Sequence, residues 1–282
     1  MKIQSNNTKI YRARRNGHKT RIWQEMFTDL IASRELIWRL IIRDFSVRYR
    51  QSMLGYVWAV LPQIVTVAIF TFLSRHRVFD MGPTDMPYVV HALWSISVWQ
   101  LFAGCLIGCT NSLVNAGSLV TKINFPKEAL VFAAIGQASL DFMIRLIPVT
   151  VVFIWYGFVP SWHSVFIPLI LIAVLLMALG AGFIMAIINL VLRDMGNMLS
   201  MILTFGMFLA PILYPPPVRE PFTIVNVANP FSPLLIATQN LLSGQHLMQP
   251  ELLVYMIAFS IGVFFLGWRT FHITMPRIAE RA

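Results

Sequence analysis

The sequence predicts an all-α integral membrane protein, with six transmembrane helices, an N-terminal amphipathic interface helix ahead of them and re-entrant helices between the fifth and sixth spans. Three observations carry that prediction. The 282 residues are 57% hydrophobic and 12% charged, with a mean hydropathy of +0.69, whereas a soluble domain carries about 25% charged residues. The apolar residues fall in long runs almost free of charge, a pattern that excludes a water-soluble enzyme, a disulfide-stapled secreted domain and a disordered tail. The formal charge of +10 is concentrated in the first fifty residues and the connecting loops, where it reads as a topology signal and not as a nucleic-acid surface.

A hydrocarbon core of about 30 Å needs about 20 mostly apolar helical residues. Stretches of that kind cover 55–74, 87–109, 129–157, 165–192, 198–214 and 252–268. Six crossings leave both termini on one side. Twelve Lys or Arg lie in residues 1–50, three (Lys122, Lys127, Arg193) in the even-numbered loops and three (Arg269, Arg277, Arg281) in the C-terminal tail. The other loops hold Arg75, Arg77 and Arg219, so both termini are expected in the cytosol. Residues 1–32 then read as a basic cytosolic tail, without the apolar core or cleavage site of a signal peptide. Residues 215–250 form a long outer loop that is apolar for exposed sequence. Within it, 230–244 is too short to cross but starts with Pro and stops at Gly, as a re-entrant or interfacial helix would.

Several chemistries are excluded. The nearest fragment to a phosphate-cradling GxxxxGK[ST] loop, Gly17-His18-Lys19-Thr20, lacks the Gly-Lys pair and the preceding strand, so no ATP hydrolysis is expected in this chain. The six His are scattered, Cys105 and Cys109 sit one helical turn apart inside an apolar run, and no metal site or disulfide framework follows. There is no GxSxG elbow, and the twelve acids do not gather with His as an intramembrane enzyme would need.

Four features are candidates for function. Residues 33–50 are charged throughout but amphipathic: at 100° per residue Arg39, Arg43 and Arg50 fall within about 40° of one another, with Ile37, Trp38, Ile41, Ile42, Phe45 and Tyr49 roughly opposite. Such a helix lies in the interface, held by anionic lipid or presenting guanidinium forks to the phosphates of a lipid-linked substrate. Asp141 and Arg145 sit about 18 and 24 Å into the third span. Their i, i+4 spacing allows an ion pair facing other helices or a role on a pathway. Aromatic residues mark several spans, among them Tyr56, Trp58, Trp94 and Trp99; they suit packing, the interface belt, or the lining of a conduit for sugars. In the loop 111–128, Phe125 within Lys122-Ile123-Asn124-Phe125-Pro126-Lys127-Glu128 suits docking into a partner's groove, and Arg193-Asp194 in the next turn is a second contact, unless each is a plain solvated loop.

The order of short motifs on this frame resembles a known family. Arg48-Tyr49-Arg50-Gln51-Ser52-Met53-Leu54-Gly55-Tyr56-Val57-Trp58 followed by Pro62, then Phe125-Pro126-Lys127-Glu128, Arg193-Asp194, Ala210-Pro211-Ile212-Leu213-Tyr214 and Asn229-Pro230, is similar to the type 2 ABC exporter permeases for bacterial polysaccharides: O-antigen, teichoic acid and capsule. The resemblance covers about residues 33–270, so 33–282 is the expected permease domain. It implies a homodimer in the bacterial inner membrane, paired with two copies of a separate ATPase that binds ATP and Mg, with no cofactor in this chain. It implies a glycan on undecaprenyl diphosphate as substrate, with Arg39, Arg43, Arg48 and Arg50 at the lipid diphosphate. It implies aromatic lining by Tyr56, Trp58, Trp94 and Trp99, and ATPase coupling through Lys122, Phe125, Pro126, Lys127, Glu128, Arg193 and Asp194. Capsule or teichoic acid export, export of a small hydrophobic compound, and a membrane glycosyl- or acyltransferase are the alternatives.

Overall fold

The computed structural model describes residues 19–50, 57–76, 84–117, 125–215, 228–247 and 249–279. Among them are nine α-helices and two 3₁₀ turns, with no strand. The helices are α1 (Lys19–Ala32), α2 (Arg34–Arg50), α3 (Val57–Arg75), α4 (Tyr88–Ala116), α5 (Glu128–Tyr156), α6 (Ile167–Val191), α7 (Met195–Gly206), α8 (Ser232–Ser243) and α9 (Pro250–Ala279). Five crossing candidates are long and apolar enough: α3, α4, α5, α6 with its leading turn Trp162–Phe166, and α9.

α4 is the hub. Most of its length is buried, on several sides, as suits an apolar helix at the centre of a bundle. It packs along α5 and α6, and α6 packs in turn along α9, while α2 and α3 cover α5 and α4. Gly267 of α9 and Gly180 of α6 let two backbones meet: a Cβ on Gly267 would stand 2.1 Å from the Gly180 carbonyl oxygen. On the other side of α6, a Cβ on Gly182 would stand 2.4 Å from the Cys109 Cβ of α4. The two cysteines are buried free thiols that serve this packing.

The expected span at 198–214 is only partly helical. α7 and the 3₁₀ turn Met207–Leu209 have 12 and 3 residues and rise about 24 Å, less than the hydrocarbon core requires. Pro211 is the physical reason: it pushes Ala210 into extended backbone (φ −106°, ψ 151°) and stops the helix. The chain beyond is nevertheless buried, with Ala210, Ile212 and Leu213 almost inaccessible. Its carbonyls are satisfied from other elements: Gln239 Nε2 donates to Pro211 O at 3.0 Å and Tyr88 Oη to Leu213 O at 3.0 Å.

The short helix expected within 230–244 is α8, with Pro233 in its first turn and Gly244 left-handed (φ 79°) at its end. Nearly all of α8 is buried. Trp94 Nε1 donates to Thr238 Oγ1 at 3.0 Å, and Gln239 Nε2 donates to Ser95 Oγ at 2.8 Å, so α8 lies along the first half of α4. Its start packs deeper, Phe231 meeting Trp99 edge-on at 5.0 Å, and its end reaches the α5–α6 connection, where Ser161 N donates to Leu242 O at 3.0 Å.

Between residues 19 and 32 the basic tail is itself helical, which its composition does not suggest. Trp23 and Phe27 of α1 pack edge-on against Phe265 and Trp268 of α9, at 5.5 and 5.1 Å, and Met26 is buried. α1 and α2 are nearly continuous through Ser33, whose N–H donates to the Asp29 carbonyl. α2 then lies on α5, with Ile41 filling the notch that Gly136 leaves.

Candidate functional site

These contacts give the bundle two ends. The Tyr88 end gathers Leu213, Ser161 and Leu242; the Phe125 end gathers Ala116, Glu128 and the 192–194 turn. Asn189 ties that turn to α4: its Oδ1 accepts from Gly196 N at 2.9 Å, and its Nδ2 donates to Thr110 O at 3.1 Å and Asn111 Oδ1 at 3.0 Å.

Between α2, α4 and α5 lies a cavity of about 640 Å³. It extends from Ala116 and Leu130 toward Gly104 and Arg145, about 18 Å measured along α4. Arg43 and Asp44 of α2 line it on one side, Asn111, Ser112 and Asn115 of α4 on another, and Gln137, Asp141 and Arg145 of α5 on the third. Gly104 and Gly108 leave its α4 wall low. Polar groups at such a depth are costly in lipid and are kept where they meet one another, water or a ligand.

The sequence candidates are thus partly brought together. Arg43, Asp141 and Arg145 share the cavity wall, although they come from segments about one hundred residues apart. Arg43 Nε donates to Asp44 Oδ1 at 2.6 Å, and Arg145 Nε to the Ala59 carbonyl of α3 at 3.3 Å. Arg39 lies on the exposed face of α2 and donates to Glu35 Oε1 at 2.6 Å. The side chains of Arg48 and Arg50, and the whole of Tyr56 and Lys122, lie outside the described residues. Trp58 is exposed in the first turn of α3, whereas Trp94 and Trp99 are buried against α8.

At the Phe125 end, Phe125, Pro126 and Lys127 are half-buried, and the Lys127 ammonium lies 4.3 Å from the centre of the Phe125 ring. Burial holds that ammonium below the usual lysine range, and the Glu128 carboxylate partly offsets it. Glu128 itself turns inward to His272. Arg193 and Asp194 are exposed in the α6–α7 turn.

Sequence reasoning missed Gln137, Asn111, Ser112 and Asn115. Gln137, Asp141 and Arg145 form an i, i+4, i+8 stripe, a signal visible in the sequence. The apolar run stops at Cys109, which by hydropathy places Asn111, Ser112 and Asn115 in a loop, while the helix continues to Ala116. Among the described residues no group of three or more His, Cys, Asp or Glu is placed to hold a metal ion.

Helices of crossing length around a polar inter-helix cavity define a multi-pass membrane protein. The chain belongs to the ABC-2 type transporter family, whose domain matches residues 35–246, in agreement with the resemblance carried by the motifs. It is similar to the O-antigen export system permease protein RfbA of Myxococcus xanthus, 26% identical over an alignment of 259 residues, with 89% of this chain and 97% of the relative covered. It is also similar to a Klebsiella pneumoniae protein of the same name, 29% identical over 202 residues, covering 71% of this chain and 76% of the relative.

Proposed function

We propose that this chain is the membrane-spanning permease of an inner-membrane exporter that moves a lipid-linked O-antigen polysaccharide outward, as a homodimer energised by two copies of a separate ATPase that binds ATP and Mg. The cavity between α2, α4 and α5 carries the reading: it sets an arginine of the interface helix, Arg43, beside amides and the Asp141–Arg145 stripe at the end where the ATPase would dock. Guanidinium forks suit a diphosphate, and amides suit sugar hydroxyls. The shared name of the relatives supports O-antigen over capsule, teichoic acid or a small hydrophobic compound.

In this reading the Phe125 end faces the cytosol and the chain crosses six times. The fifth crossing is α7 completed by 210–213. Its start is held through Asn189 of α6, which accepts from Gly196 N and donates to Thr110 O of α4, and its end by Tyr88; the two points lie about 33 Å apart along α4, which supports a full crossing. α8 re-enters from the outer side. Arg39, Arg48 and Arg50 serve the lipid diphosphate together with Arg43; Tyr56 and Trp58 serve the conduit, and Trp94 and Trp99 act on it through α8. Asp141 and Arg145 pair within α5. Phe125, Pro126 and Lys127, with Lys122, Arg193 and Asp194, form the docking face for the ATPase. Carrying a diphosphate outward across an inside-negative potential is downhill by about 2.3 kcal/mol per charge per 100 mV, so ATP is needed for desolvation and for the polymer.

The test is reconstitution with the ATPase in proteoliposomes and a labelled undecaprenyl-diphosphate glycan. Glycan should stimulate ATP hydrolysis and become accessible outside. Combined replacement of Arg39, Arg43 and Arg50 by Gln should lower that stimulation by about tenfold, as loss of charge-assisted contacts does. Wild-type stimulation in the triple variant would reduce α2 to a lipid anchor. Turnover by a hydrophobic compound with no response to glycan would favour the small-molecule alternative.

A further inference from the structure

Glu128 ends the docking motif and begins α5, and its side chain points away from solvent. His272 of α9 and Glu128 are in contact at 2.7 Å, Nδ1 to Oε1, with side-chain exposures of 23% and 14%. An ionised carboxylate only accepts, so the ring donates from Nδ1. One turn deeper on each helix, Phe132 of α5 meets Trp268 of α9 edge-on at 5.4 Å. The pairs 128/272 and 132/268 run in opposite senses, so α5 and α9 are antiparallel where these side chains bridge them at the Phe125 end. Elsewhere α9 packs mainly on α6. Phe27 of α1 sits on the same Trp268 ring, and the Asp29 carboxyl of α1 is near enough to feel both Glu128 and His272. The loop is therefore anchored at one residue to a second membrane-spanning helix, while its ring and ammonium remain partly open to solvent.

We infer that His272 is a positioning residue for energy coupling: it fixes Glu128 and thereby the 125–127 loop to the inner end of α9, so that displacement of the loop is transmitted into α9. This rests on the proposal that the loop docks on the ATPase. Without the anchor, the first turn of α5 would absorb the displacement locally, since helix termini fray at low cost.

The experiment uses the assembled permease–ATPase complex in proteoliposomes and reads glycan exported per ATP hydrolysed, beside the melting temperature of the complex. His272→Leu should assemble and hydrolyse ATP but export about tenfold less per ATP, the size of loss expected for a coupling contact. His272→Asn, whose amide sets an N–H close to the Nδ1 position, should recover most of the ratio. A wild-type ratio in His272→Leu overturns the inference, and so does an equal loss in His272→Asn and His272→Leu at unchanged melting temperature. If His272→Leu does not accumulate, Glu128→Leu, which removes the acceptor, carries the test: a reduced ratio supports the anchor and a wild-type ratio overturns it. Phe125→Ala separates the two levels. Wild-type assembly and export in that variant overturn the docking proposal itself, whereas uncoupling there with wild-type His272→Leu overturns only the anchor.

Discussion

Residues that touch only backbone do as much here as the charged ones. At the α6–α9 crossing the first carbon of any side chain on Gly267 would fall inside the Gly180 carbonyl, and no rotamer change relieves a clash with backbone. Gly267→Ala should therefore lower stability by about 1–3 kcal/mol, read as a lower melting temperature in detergent, and Gly267→Leu should not accumulate. Gly136 differs, because its neighbour is the end of the Ile41 side chain, which can move. Neither position announces itself in the sequence: fifteen glycines are scattered along the chain, and only the partner helix decides which of them is a contact. The acid–base stripe of α5 was readable because its spacing lies within one element, while the Glu128–His272 contact joins positions 144 residues apart and leaves no local trace.

Most helices were legible in position, since hydropathy and length decide a crossing, although α4 and α9 continue to Ala116 and Ala279, well past the apolar runs that end at 109 and 268. The exceptions have physical causes. Residues 198–214 form one apolar run, but hydropathy does not register that Pro211 ends the helix inside it. α1 carries Trp23, Met26, Phe27 and Leu30 at i, i+3, i+4 and i+7, a helical face masked by the basic composition around it. The broken end of α7 is tolerated because Gln239 and Tyr88 cap its carbonyls where lipid offers no donor. Gln239→Leu removes the donor to both Pro211 and Ser95, and should destabilise by about 1–3 kcal/mol in thermal or denaturant unfolding, whereas Gln239→Glu should recover little because an ionised carboxylate cannot donate.

For the molecule as a whole, the positive-inside count and the paired ends make a joint statement about sidedness. Single cysteines at Arg193 and at His246, both exposed, should be labelled by a membrane-impermeant maleimide from opposite sides: Arg193→Cys from the cytosol, His246→Cys from outside. Labelling of both from one side would remove the six-crossing reading. The buried native thiols keep the background low. The cavity was only half legible, since two of its walls were in view as an arginine stripe and an intramembrane acid–base couple, and the third wall was hidden by ending α4 too soon. The central place of α4 also bears on how the protein is made. Trp94 and Ser95 find their partners at Thr238 and Gln239, which leave the ribosome more than 140 residues later. A nascent chain therefore holds this helix without its α8 partners until the C-terminal third arrives, and a product cut short before residue 228 would leave Trp94 and Ser95 without those partners and the bundle open to membrane proteases.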